Sequence, residues 1–395
     1  MSPFLSPDSF VRTRLAAVFF TAALLVSVSM GISGAHAAQP NEFPPEVQKA
    51  VNEILASRDT GKAIPSKAVL DEFLAYATSP LVRSGDFPAK RKEGHGIIWR
   101  SSIKQPMATT LRYLFDPKIP SEIAYPASVR RQNWHPGSDI LTLDPPLWEQ
   151  LGKHADTPLV LRGVETESIT PDTFSSSFYS YTQDRLYILT EYQGTQVLIT
   201  ASWQKGKSDV GRKATPIGDY DNWDFVYSDA AGTLASGIGW ADTYMYAANA
   251  IIVFYEEAPG SGVTRYTIFK WLDAGWSGMN MVKQEHLTAG AERSFAGLKA
   301  FLESPALPPA EEIAAYVASL EALDTDALRA RFKPYSLKVS EAAANDKILQ
   351  SDDFQKKIAN GSYGDNLSRE EIIAAMSVNW IKGKLGKPQL AGPLE

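Results

Sequence analysis

Between Thr195 and Trp203 the apolar side chains fall on every second residue. Val197, Ile199, Ala201 and Trp203 share one face, with Gln196, Thr200 and Ser202 mostly on the other. That period of two marks a half-buried strand, because successive side chains leave a pleated chain in opposite directions. Leu186 to Thr190 precedes it across Tyr192-Gln193-Gly194, a tight hairpin signal. A second hairpin runs from Ile251 to Tyr255, turns through Pro259-Gly260-Ser261-Gly262 and returns along Thr264 to Leu272. Asp224 to Ser228 reads as a further short strand. Connections this tight cannot hold helical crossovers, so the sheet is expected to be antiparallel.

The flanks carry a different period. Val47, Val51, Ile54 and Leu55 recur at helical spacing, and Ser66 can cap a second helix presenting Val69, Leu70, Phe73 and Leu74. Ile97 to Trp99 and Thr109 to Phe115 read as strands, and Pro145-Pro146 before Leu147-Trp148 as a turn into a short helix. Thr288 can cap a helix with Phe295, Leu298 and Leu302 on one face. After Pro305, Pro308 and Pro309 everything reads as helical. Ile313, Tyr316, Val317 and Leu320 form one face, Ile348, Leu349 and Phe354 mark another, and Ser368-Arg369-Glu370-Glu371 is a capping box.

The expected fold is therefore α+β: a curved antiparallel sheet from 95–275, helix 288–303 on one of its faces, and helices at both chain ends. The order of elements over 158–303 loosely resembles the helix-grip arrangement of START-like lipid-binding families. The likeness rests on element order, so no family residues carry over. The expected organisation is a signal over 1–37, a helical segment over 38–93, an α+β domain over 94–304, a helical segment over 305–385, and a disordered tail over 386–395.

Arg12 and Arg14, an apolar run from Leu15 to Val28, and a small-x-small exit at Ala35-His36-Ala37 have the layout of a cleavable secretory signal. The run is about 14 residues, short of the roughly 20 needed to span a bilayer. A periplasmic or extracellular destination is expected, with no stable membrane insertion after cleavage. The chain has no cysteine, so its fold uses no disulfide although export would permit them. Its net charge is -6, of which Arg12, Arg14 and Asp8 contribute +1, leaving -7 after cleavage. An acidic chain without a basic run argues against nucleic acid and anionic membrane surfaces.

Motifs that carry chemistry fail on spacing. Gly237-Ile238-Gly239-Trp240-Ala241-Asp242 has Asp242 where a dinucleotide fingerprint needs its third glycine. Gly275-Trp276-Ser277-Gly278-Met279 breaks the nucleophile-elbow pattern at Met279, and Ser101-Ser102-Ile103-Lys104 has no Lys-Thr-Gly partner. His95, His135, His154 and His286 lack metal-ligand spacing, and no cofactor is implied. The acidic stretch Asp219 to Asp224 does not fit an EF-hand and reads as a solvated turn, with a loop cation site as the sharper alternative. Arg212, in a small basic loop with Lys205, Lys207 and Lys213, could meet an anionic group.

Residues 174–276 hold 20 of the 42 aromatic residues. Most of these pack a core, and some can line an apolar cavity. The first expectation is a non-catalytic protein that binds a small apolar or amphipathic ligand. Its candidate residues are Trp203, Trp223, Tyr227, Trp240, Tyr244, Tyr246, Trp271 and Arg212. A hydrolase with a dispersed site (Asp209, His95, His135 or His286) is the second. The third is an envelope interaction module docking through 309–384. N-terminal sequencing of the exported protein is expected to read Ala38 first; a mature chain beginning at Met1 would refute the signal.

Overall fold

A computed structural model of the protein describes residues 42–58, 62–86, 88, 91–172, 176–235 and 239–394. The signal expected over 1–37, with its cleavage site, lies outside the described residues. Strands β1 (His95–Ile103), β2 (Val129–Trp134), β3 (Leu159–Ile169), β4 (Ser177–Phe178), β5 (Ser180–Tyr192), β6 (Thr195–Gln204) and β7 (Arg212–Pro216) come first. They are followed by β8 (Phe225–Ala231), β9 (Thr233–Ala235), β10 (Gly239–Ala241), β11 (Tyr244–Glu256), β12 (Thr264–Trp276) and β13 (Met279–Asn280). The helices are α1 (Pro45–Ala56), α2 (Lys67–Thr78), α3 (Met107–Phe115), α4 (Ser121–Ala124), α5 (Gln284–Leu302), α6 (Ala310–Glu321), α7 (Thr325–Ala343), α8 (Asp352–Ile358) and α9 (Arg369–Lys384).

The architecture is α+β, built on an eight-stranded open sheet in the order β1-β12-β11-β6-β5-β3-β2, with β13 added to β12. Every pairing in it is antiparallel. Both expected hairpins form. Gln193 and Gly194 turn β5 into β6 with positive φ of 50° and 76°, the double left-handed geometry that matches strand twist. Ser277 and Gly278 (φ 49° and 75°) make the same kind of turn between β12 and β13, so this segment is a hairpin and not a nucleophile elbow.

One face of the sheet is sealed. Ile188, Ile199, Trp203, Ile251, Phe269 and Trp271 bury there against Val51, Ile54, Phe73 and Leu74 of α1 and α2. Ser66 caps α2 as expected, accepting from the Val69 amide at 3.5 Å. The opposite, inner face meets α3, α5 and α6.

Four expectations are corrected. Residues 109–115 form helix α3 and not a strand. Their β-branched and aromatic side chains favour extended chain, but Met107, Leu111 and Leu114 recur at helical spacing and bury at 1%, 0% and 7% exposure, so packing overrides propensity. The strand at 224–228 forms as β8 but joins β7 and β4 in a separate three-stranded sheet. Helix α5 starts at Gln284, four residues before Thr288, with His286 Nδ1 accepting from the Lys283 amide at 3.3 Å. The last residues, expected to trail free, lie against α9: the Asn379 amide donates to the Gly392 carbonyl at 2.9 Å and Leu394 is buried.

The C-terminal helices are tied to the rest by charge as well as by apolar contact. Ala310, Ile313, Val317 and Ile381 share one cluster with the sheet. Lys382, 0% exposed, sets its amine 2.6 Å from Asp224. The expected capping box forms, with Ser368 and Glu371 exchanging bonds with each other's backbone amides.

Losing one partner of a buried ion pair leaves an uncompensated charge. Lys382→Met is expected to destabilise the protein by about 3–5 kcal/mol, and adding Asp224→Asn to restore most of that loss. Urea unfolding midpoints check it; a double variant no more stable than Lys382→Met would show that the charges were not paired.

Candidate functional site

The inner face of the sheet is only partly covered. Phe295 of α5 lies against Trp99 (6.1 Å, stacked) and Tyr266 (4.9 Å), and Phe115 of α3 meets Tyr187 and Phe254 at 5.4 and 5.8 Å. Beyond these contacts the cover stops. Ile252 on β11 and Ile268 on β12 keep solvent contact, while Ile251 and Phe269, one residue away on the sealed face, are 0% exposed.

Register explains the hollow. Gly163, Arg185, Ser202, Ala250, Lys270 and Ile97 stand in one row across β3, β5, β6, β11, β12 and β1. Short Ser202 and Ala250 thus lie between two long cationic side chains. In the next row Ile252, Ile268 and Trp99 supply an apolar floor. Four strand spacings separate β3 from β12, about 19 Å in a flat sheet. Glu167 on β3 nevertheless raises the proton affinity of Lys270 on β12. The strip left open between the α3 and α5 contacts, over Ser202, Ala250, Ile252 and Ile268, is a shallow trough.

One end of the trough is polar. Glu165, 0% exposed, accepts from Arg185 Nη1 and Gln183 Nε2, both at 2.6 Å, and from the Gln132 amide. The Arg185 guanidinium also lies over the rings of Tyr187 (5.3 Å) and Trp134 (5.9 Å). Burial works against its charge, yet Glu165 holds its pKa above the ordinary value. Glu167 accepts the Tyr181 hydroxyl, and burial together with the nearby Glu165 pushes its pKa up. Burial likewise raises the Tyr125 and Tyr187 hydroxyls, and the Tyr187 hydroxyl has no hydrogen-bond partner among the described residues.

Lys270 is the exception in this set. Its residue is exposed, yet its surroundings lower its pKa by desolvation, against the pull of Glu167. The side chain stands beside Ala250 over the open strip of the inner face. It makes no ion pair or hydrogen bond with a described residue. Its neighbours on the face are Ile97, Ala250, Ile268 and Leu272.

The residues expected to line a ligand site do not gather. Trp203 (2% exposed) and Trp271 (0%) are core on the sealed face. Trp223 and Tyr227 line a cavity of about 60 Å³ with Arg130, Asp224 and Glu371, space for a few water molecules. There Arg130 bonds Glu371 and lies 3.9 Å over the Tyr227 ring. Tyr244 and Tyr246 lie side by side at the start of β11, Tyr244 under Lys207 at 3.7 Å and Tyr246 accepting the Gly278 amide at 2.9 Å. Arg212 is a rung of β7 opposite Ala231. The backbone of Trp240 is in β10, and its side chain lies outside the described residues. The recess residues Trp99, Arg185, Ile252, Ile268 and Lys270 were missed. The available signal was a lysine on an apolar strand face, between Ile268 and Leu272 at period two.

The other candidates are absorbed by structure. Asp224 pairs with Lys382, Lys205 with Asp184 (3.1 Å) and Lys213 with Asp353 (2.6 Å). His135 meets the Thr166 hydroxyl at 2.8 Å, and His154 the Thr157 carbonyl at 3.2 Å. Among the described residues no three His, Asp or Glu gather as a metal site, and no helix is long and apolar enough to cross a membrane. The apolar faces of α6 to α9 are buried, partly against the sheet and partly in a core of their own, with Leu337 (46%) and Ile348 (37%) the large apolar side chains that this region exposes among the described residues. No protein-family model matches the chain, and no curated protein matches it as a relative.

Glu122 on α4 borders β2. Burial raises its carboxyl to about 7, and one of its oxygens has no partner. The folded chain therefore keeps a proton that the unfolded chain releases near pH 4.5, the ordinary value. Stability is fully present below that pH and falls as pH rises toward 7, in total by about 3 kcal/mol. Glu122→Gln is expected to match the parent at pH 4.5 and exceed it in urea stability at pH 8; equal stabilities at pH 8 would refute the buried acid.

Proposed function

We propose that the protein is exported and holds a small amphipathic molecule, without catalysis, in the trough on the inner face of its sheet. The observation that carries this reading is the solvent contact of Ile252 and Ile268 on the inner face of β11 and β12. Apolar surface left wet there forgoes about 25 cal/mol per Å², which an apolar ligand would recover. The polar end, with Arg185 and Glu165 already paired, suits a ligand with one wet end. Pockets that combine apolar walls with a few convergent polar groups are the usual form of small-molecule sites.

Export rests on Arg12, Arg14, the apolar run and the Ala35-His36-Ala37 exit, and places the protein in the periplasm or outside the cell. His95, His135, His286 and Asp209 belong to different parts of the fold: the start of β1, the segment after β2, the start of α5 and the β6–β7 connection. His135 is engaged by the Thr166 hydroxyl and His286 by the Lys283 amide, which favours binding over the hydrolase reading.

The neutral fluorescent probe N-phenyl-1-naphthylamine is expected to bind the full mature chain at micromolar concentration. Ala250→Phe, which fills the floor between Arg185 and Lys270, is expected to weaken it about tenfold, a loss of about 1.4 kcal/mol. Absence of binding by the parent, or undiminished binding by a folded Ala250→Phe variant, would refute the recess.

A further inference from the structure

We propose that the cavity between β2, β8 and α9 is a binding site for the amide end of a small uncharged molecule. Its walls share no residue with the trough. The rings of Trp223, Phe225, Tyr227, Tyr335 and Tyr363 line it, and Asn379 of α9 stands among them. Asn379 is 2% exposed. Its amide nitrogen donates to the Gly392 carbonyl at 2.9 Å, which fixes the other end of the group as the oxygen. That oxygen is buried and has no partner among the described residues. A buried acceptor without a donor is costly, and a ligand N–H removes the cost.

The walls select against charge. Arg130 is paired with Glu371, and Asp224 with Lys382. The Arg130 guanidinium already lies over the rings of Phe178 (4.5 Å) and Tyr227 (3.9 Å), the place a ligand cation would seek. Arg131, also on the wall, stands near the carboxyls of Glu122 and Glu370. A charged ligand would bring an unmatched charge into a set that is already paired, and an uncharged one would not.

Size and shape narrow the class further. A volume of about 60 Å³ holds about four water molecules, so the enclosed part of a ligand has about four heavy atoms. Aromatic walls suit a flat group. A carboxamide is flat, has this size and carries the N–H that the Asn379 oxygen lacks. Trp223 reaches the wall from a left-handed backbone (φ 60°), a conformation that a bulky residue keeps only when its surroundings hold it there.

Acetamide, acetone, acetate and guanidinium share one flat shape and differ in charge and in donors. Ligand-observed saturation-transfer NMR on the full mature chain compares them. Acetamide is expected to bind at millimolar concentration, about tenfold tighter than acetone, which has no N–H, and than either ion. Asn379→Leu is expected to remove the advantage of acetamide over acetone. Ala374→Leu, which fills the cavity from α9 and leaves Asn379 in place, is expected to abolish binding while the circular dichroism spectrum stays that of the parent. Acetone or acetate binding as tightly as acetamide would overturn the amide assignment, and so would undiminished binding by a folded Ala374→Leu variant. No binding by acetamide would show that the cavity holds water only, and would overturn the site.

Discussion

The ladder through β5, β6, β11 and β12 carries the rest of the structure. It places Trp203, Ile251, Phe269 and Trp271 on one face, where α1 and α2 exclude water. Rows of side chains this apolar have to be covered by something, and the first two helices do it. With that face closed, the opposite face is free to differ. It is packed toward the α3 and α5 contacts and open in the row of Ser202 and Ala250. The open strip thus lies on a sheet whose other side has a complete core.

Charge then locates the outlying parts. The Lys382–Asp224 pair is buried on both sides, and Arg130 with Glu371 joins β2 to the first turn of α9. Such pairs add little net stability when formed but penalise every arrangement that breaks them. They hold the C-terminal helices in one place against the sheet edge and the small three-stranded sheet. The acidic stretch around Asp224, which looks like a solvated turn or a loop cation site, is used for this internal purpose.

The candidate site was less legible than the fold. Aromatic density over 174–276 pointed to tryptophans, and aromatics are the residues most readily consumed by a core. Trp203 and Trp271 were consumed in that way. What distinguishes a recess from a core is small residues beside an unpaired polar one, here Ala250 and Ser202 beside Lys270. That pattern joins three strands through register. A single strand shows only Ile268, Lys270 and Leu272 in alternation, which an exposed sheet edge would show as well.

Period and turn chemistry, both local, determined the antiparallel hairpins, the capped helices and the α+β class. The backbone geometry at Gln193-Gly194 and the cap at Ser368 follow from residues within four positions of one another. Tertiary structure decided the helix at 107–115, whose β-branched residues yield to burial, and the transfer of β8 to a second sheet. It also decided which face of the main sheet stays open. Face assignment depends on what packs over a strand, and α1, α2, α3 and α5 come from distant parts of the chain. Contacts across such separations leave no period in the sequence, so the trough and its lysine emerge only when the chain is folded.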